Sequence, residues 1–137
     1  YHEDTGGNAV GAAYVFGRDV DGSWNEVDKI QASDRQDIDY FGWSVSISGN
    51  YAIVGADYEH AGGTNDAGSA YIFEIDVDGS WNQVQKIQAS DKGGQDYFGC
   101  SVSISGSYAI VGAWSEDANN TTLRGAAYIF ERNENGW

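Results

Sequence analysis

Gly11-Ala-Ala-Tyr-Val-Phe16 returns as Gly68-Ser-Ala-Tyr-Ile-Phe73 and again as Gly125-Ala-Ala-Tyr-Ile-Phe130. Both steps are 57 residues, and residues 11–56 align with 68–113 without a gap at 34 identities in 46 positions. Such identity inside one chain marks a duplicated structural unit. A length of 137 residues holds about 2.4 of these units.

Working outward from that stretch, each unit carries four segments of strand character. In residues 40–48, Val45 and Ile47 alternate with Ser44, Ser46 and Ser48, the period of two of a half-buried strand. Gly49-Asn50 turns the chain into Tyr51-Ala-Ile-Val-Gly-Ala56, an apolar inner strand, so the two form a hairpin. A polar loop leads to the strand over 69–75, and Asp78-Gly79 returns the chain into Trp81–Ala89. That last segment is the more polar and is expected at the outer edge. Its Trp81, Val84 and Ile87 also recur at a short helical spacing, but the preceding hairpin signal favours a strand.

Four antiparallel strands repeating every 57 residues describe an all-β array of β-propeller-type blades, here a partial array of about 2.4 blades. Gly55, Ala56, Gly68 and Ala70 suit a crowded position near a central axis. The expected division is the end of one blade over 1–39, a complete blade over 40–96 and most of a third over 97–137. An open array exposes two blade faces, so the chain is either a stretch of a longer polypeptide or a subunit whose copies associate.

The formal net charge of −14, from 21 acidic and 7 basic residues, argues against nucleic acid or an anionic membrane surface as partner. No apolar run approaches the roughly 18–20 residues needed to cross a bilayer, so membrane insertion is not expected. The lone Cys100 cannot close an intrachain disulfide and reads as a small packed side chain.

Phe41-Gly42 followed by Gly55-Ala56, and Phe98-Gly99 followed by Gly112-Ala113, resemble the FG-GAP repeat found in the propeller heads of integrin α-subunits and in many secreted or surface proteins of microbes. The resemblance covers essentially the whole chain. Asp57 and Trp114 stand where the motif name has Pro. The integrin-type calcium loop between the two half-motifs is replaced by Ser48-Gly49-Asn50 and Ser105-Gly106-Ser107, too short and too poor in carboxylates to enclose a cation. The nearer likeness is to the bacterial-type repeat with short turns. The family implies an extracellular or cell-surface location.

Several residues stand out as candidate sites. Asp19 and Asp21, with their copies Asp76 and Asp78, begin like a calcium loop but lack its later ligands. Turn chemistry is the competing reading, and calcium is the one cofactor left open. Asp34 with Asp39, and Asp91 with Asp96, bracket the approach to Phe41 and Phe98 as backbone caps or a shared cation site. The long loops differ most between copies: Asp57, Tyr58, Glu59 and His60 in one, Trp114, Glu116 and Asp117 in the next. Variable loops on a rigid scaffold are where ligands are read, and unconstrained drift gives the same pattern. Trp24, Trp81 and Trp137 recur in phase and read as blade packing, whereas Trp114 is unrepeated and suits an aromatic contact. Asn119 and Asn120 each begin an N-glycosylation pattern.

No nucleophile, base and orienting group come together in the sequence; His2 and His60 occupy non-equivalent repeat positions. The function expected is therefore non-catalytic: an extracellular scaffold or adhesion module that binds protein or glycan through the variable loops. The alternative is a self-assembling structural subunit, with further copies of itself as partner.

Overall fold

The computed structural model describes residues 10–34, 36, 38–60, 63–115 and 124–137. Nine strands form three separate antiparallel sheets among the described residues. Blade A holds β1 (Ala13–Arg18) and β2 (Trp24–Ile30). Blade B holds β3 (Ser44–Ser48), β4 (Tyr51–Ala56), β5 (Ser69–Ile75) and β6 (Trp81–Ile87), paired in chain order. Blade C holds β7 (Phe98–Ser105), β8 (Tyr108–Ala113) and β9 (Ala126–Glu131). The segment from Trp81 is a strand at the outer edge of its blade, as its polar face requires, and its pairing with β5 carries a bulge at Ile72/Phe73. Blade A repeats that bulge at Val15/Phe16.

The hairpin between β3 and β4 is closed by Gly49-Asn50 alone, with Gly49 at φ 58°, a left-handed conformation that glycine adopts without steric penalty. Tyr40 and Trp43 lie outside β3, which starts only at Ser44, whereas β7 starts at Phe98. The pairing of β7 with β8 is irregular between Phe98 and Ser101.

The core lies between blades. One cluster joins Ala13 and Ile30 of blade A to Phe41, Val54, Tyr71, Phe73 and Trp81. A second joins Ile53, Ile72 and Ile87 of blade B to Phe98, Ile104 and Val111 of blade C. Phe41 packs edge-on against Tyr71 and Phe73 at ring-centroid distances of 5.5 and 6.0 Å. Phe98 meets Tyr128 and Phe130 at 5.4 and 6.1 Å. The aromatic of each Phe-Gly pair is thus a wedge between its own blade and the one before.

Burial follows neighbours rather than composition. β4 and β8 share the sequence Tyr-Ala-Ile-Val-Gly-Ala, yet β4 is buried on both faces and β8 alternates, because β4 lies between two further sheets. Full burial of one such Ile or Val stabilises by about 1.5–3 kcal/mol.

Two sequence expectations change here. The crowding around Gly55 and Gly68 comes from the next blade: a Cβ on Gly55 would strike the carbonyl of Gly99, and one on Gly68 the carbonyl of Phe98. And of the three in-phase tryptophans, Trp81 and Trp137 pack between blades while Trp24 is 65% exposed. The pocket that holds Trp81 is built partly by blade A, and no described blade stands in that place for Trp24.

Candidate functional site: an aromatic row along one edge of the blades

Antiparallel order puts the start of β3, the end of β4 and the start of β5 at one edge of blade B, and the β3–β4 and β5–β6 turns at the other. The turn edge carries the acidic candidates. Asp21 Oδ1 accepts hydrogen bonds from the Ser23 backbone N–H and hydroxyl at 2.9 and 2.6 Å. Asp78 does the same with Ser80 at the same distances. Asp19 accepts from Asn25 Nδ2 at 2.7 Å, and Asp76 from the Val77 N–H at 2.6 Å. The Ser donors hold the Asp21 and Asp78 carboxyls below the usual carboxylate range. Each turn satisfies itself, and among the described residues no three His, Cys, Asp or Glu side chains converge as a metal ion needs. Each turn brings two carboxylates, against the six to eight oxygens that calcium takes.

The opposite edge is built around the passage from one blade to the next. Phe98 N–H donates to Ala67 O at 2.9 Å, Tyr97 N–H to Asp66 O at 3.1 Å and Gln95 N–H to Asn65 O at 2.9 Å. Those bonds stitch the loop after β4 to the approach to β7. Asp66, Gln95 and Tyr97 all hold left-handed φ, at 52°, 66° and 56°, and Tyr40 repeats this at 53°. Each such non-glycine residue costs on the order of 1–3 kcal/mol, which the surrounding bonds must offset.

The variable loops are less exposed than their polarity suggests. Asp57 and Glu59 are buried at 3% and 5% exposure, Tyr58 is half-buried, and of these four His60 alone is exposed. Glu59 accepts from Lys86 Nζ at 2.9 Å and from the Ser69 hydroxyl at 2.6 Å. Lys86 also reaches Asp34 at 2.6 Å and lies 5.3 Å from the Tyr71 ring centroid. Burial disfavours the Lys86 ammonium, but its bonds to Asp34 and Glu59 outweigh that and raise its pKa. Glu59 and Asp34 therefore clamp the passage onto blade B. Asp39 caps the Gln36 N–H at 2.6 Å, and Asp96 caps the Gly93 N–H. Asp91 accepts from the Tyr128 hydroxyl at 2.8 Å. Burial pushes both Asp39 and Asp57 up to about 6.

Above this clamp runs a continuous row of rings. Trp43 stacks near Tyr40 at 6.4 Å; Tyr40 meets Tyr58 at 4.8 Å; Tyr58 meets Tyr97 at 5.1 Å; Tyr97 stacks on Trp114 at 5.0 Å and 10°. The two end members are the most open, Trp43 at 45% and Trp114 at 59% exposure. Beside the row, Asp57 Oδ1 and Asp96 Oδ1 are buried without a hydrogen-bond partner among the described residues. Sequence reasoning singled out Tyr58 and Trp114 but not Tyr40, Trp43, Tyr97 or Lys86. The in-phase recurrence of Asp-Tyr-Phe-Gly and of Lys29 with Lys86 was the available signal. Glu116, Asp117, Asn119 and Asn120 lie outside the described residues.

No curated protein matches the chain. The family model for the FG-GAP repeat matches residues 24–73 and 81–130. Each matched stretch begins with the outer strand of one blade and runs through the first three strands of the next, so a family repeat bridges the joint that the clamp and the ring row occupy. With its two matches covering well over half the sequence and its strands forming blades of the expected order, the chain belongs to the FG-GAP repeat family.

Proposed function

We propose that the chain is a non-catalytic binding module of the extracellular or cell-surface kind, which holds a protein or glycan ligand on the loop edge of its blades. The observation that carries this reading is the five-ring row from Trp43 to Trp114, half-open to solvent and underlain by a rigid joint. Tyr and Trp present large amphipathic faces at low conformational cost, which is why they concentrate at recognition surfaces. FG-GAP repeats are associated with adhesion-type modules and occur typically in extracellular proteins, which supports both the role and the location.

The test is to screen the 137-residue chain against immobilised oligosaccharides and proteins, then repeat with Trp114→Ala and Tyr58→Ala. Loss of a central aromatic contact of this kind costs about 2 kcal/mol, so each variant should weaken the captured ligand by roughly thirtyfold. A ligand held equally well by both variants, but released by Asp21→Ala with Asp78→Ala at the turn edge, would overturn the reading.

A further inference from the structure

Two phenols in the joint between blades B and C are held in a geometry suited to a covalent reaction, independently of any ligand on the ring row. Tyr58 follows β4 and Tyr97 precedes Phe98 at the start of β7, so they come from adjacent blades. Their ring centroids lie 5.1 Å apart and the planes are tilted by 57°. Burial, then the adjacent Tyr58 phenol, raise the pKa of the Tyr97 phenol, which places the two hydroxyl ends side by side. The ring carbons beside each hydroxyl are where an oxidised phenol carries its unpaired electron and forms bonds. A bond between two such carbons needs a centroid separation only slightly shorter than the one observed, with the planes twisted rather than parallel.

The neighbouring ring pairs differ. Tyr97 and Trp114 stack at 10°, face on face, which keeps their ring edges apart. Tyr40 meets Tyr58 at 66°, so a ring edge points at a face rather than at another edge. Tyr51, Tyr71 and Tyr128 meet Trp137, Phe41 and Phe98, none of which offers a phenol. Tyr58 and Tyr97 are also fixed in place. Glu59 N–H donates to Ala56 O at 3.2 Å and Gly68 N–H to Glu59 O at 3.0 Å, closing the backbone beside Tyr58. The Glu59 carboxylate is held in turn by Lys86 and Ser69. Tyr97 N–H donates to Asp66 O at 3.1 Å and Phe98 N–H to Ala67 O at 2.9 Å. Holding two reacting groups together raises their effective concentration by orders of magnitude over free phenols. Neither ring is sealed: both are half-buried and within reach of a small oxidant.

We propose that Tyr58 and Tyr97 form an oxidative modification site, where a carbon–carbon bond between the two rings staples blade B to blade C. The oxidant is hydrogen peroxide, used by a haem peroxidase. Each phenol gives up one electron and its hydroxyl proton, leaving two neutral phenoxyl radicals. The two electrons and two protons reduce one peroxide to two waters. The unpaired electrons combine as the new bond between the carbons beside the hydroxyls. The hydrogens on those carbons then move to the oxygens, restoring both hydroxyls and both aromatic rings. The bond closes a loop of about 40 residues, which restricts the unfolded chain far more than the folded one.

The test treats the 137-residue chain, at high dilution, with hydrogen peroxide and a haem peroxidase, and reads intact mass, linked-tyrosine fluorescence and the peptide map. The expected product is a monomer lighter by two hydrogens, whose one cross-linked peptide pair carries Tyr58 and Tyr97. Its melting temperature should rise by roughly 5–10 °C. A photogenerated ruthenium one-electron oxidant, which diffuses freely, repeats the reaction without dependence on the peroxidase's access. Tyr58→Phe and Tyr97→Phe should each abolish the link, whereas Tyr108→Phe, at an exposed position on β8, keeps it. The map on the parent chain decides without any variant, and the same treatment in urea should lose the selectivity. No link within the chain under either oxidant, a link mapped to Tyr40 with Tyr58, or an equal yield in Tyr58→Phe overturns the proposal.

Discussion

Replacing Lys86 by Met leaves Glu59, 5% exposed, with only the Ser69 hydroxyl as donor. Removing one partner of a buried ion pair strands the other, and the expected loss is about 3–5 kcal/mol in urea unfolding. The Asp34 arm is different. Its side chain is 45% exposed, so Asp34→Ala should cost under about 1 kcal/mol. Asp39 and Asp57 give the pH dependence. Burial raises both to about 6 in the folded chain, against roughly 3.9 when unfolded. Between those values the folded state binds more protons, so these two groups make stability fall as pH rises from about 4 to about 6. Asp57→Asn removes one such penalty: the variant should gain on the parent as pH climbs through that window, by on the order of 2 kcal/mol above pH 6. Thermal melts of both proteins at pH 4 and pH 7 check this, and an unchanged difference between the two pH values would contradict it.

Among the elements, β4 is the one with least freedom. Gly55→Ala puts a methyl group into the Gly99 carbonyl and the Ser44 hydroxyl, so the joint between blades B and C must open. A loss of about 3 kcal/mol or more is expected, at the upper end of overpacking effects. Gly79→Ala is the matched control. Nothing lies within 4 Å of the new Cβ, but φ is 89°, so the cost is conformational and about 1 kcal/mol. Ranking the two by chemical denaturation separates contact from backbone strain. The strands themselves were readable from alternation and turn residues, down to the two-residue β3–β4 hairpin. The start of β3 was not: Phe41 bridges Gly11 across the joint and, unlike Phe98 with Ala113, is not in register with the neighbouring strand, so regular pairing begins only at Ser44.

At the scale of the molecule, the net charge of −14 works against compactness. Screening weakens that repulsion over a Debye length of about 10 Å at 0.1 M salt. The melting temperature should therefore rise between low salt and about 0.3 M NaCl, as read by calorimetry, and a flat response would mean the charges are already too dispersed to matter. The period of 57 residues, the strand order within a blade and the membership of the FG-GAP family were all decided by the sequence, since repetition and alternation are local patterns that any fold of this chain must honour. Burial of Asp57 and Glu59, the Lys86 clamp and the five-ring row were decided only in three dimensions. Their contacts join residues up to 52 positions apart, and such neighbours become neighbours only when blades stack.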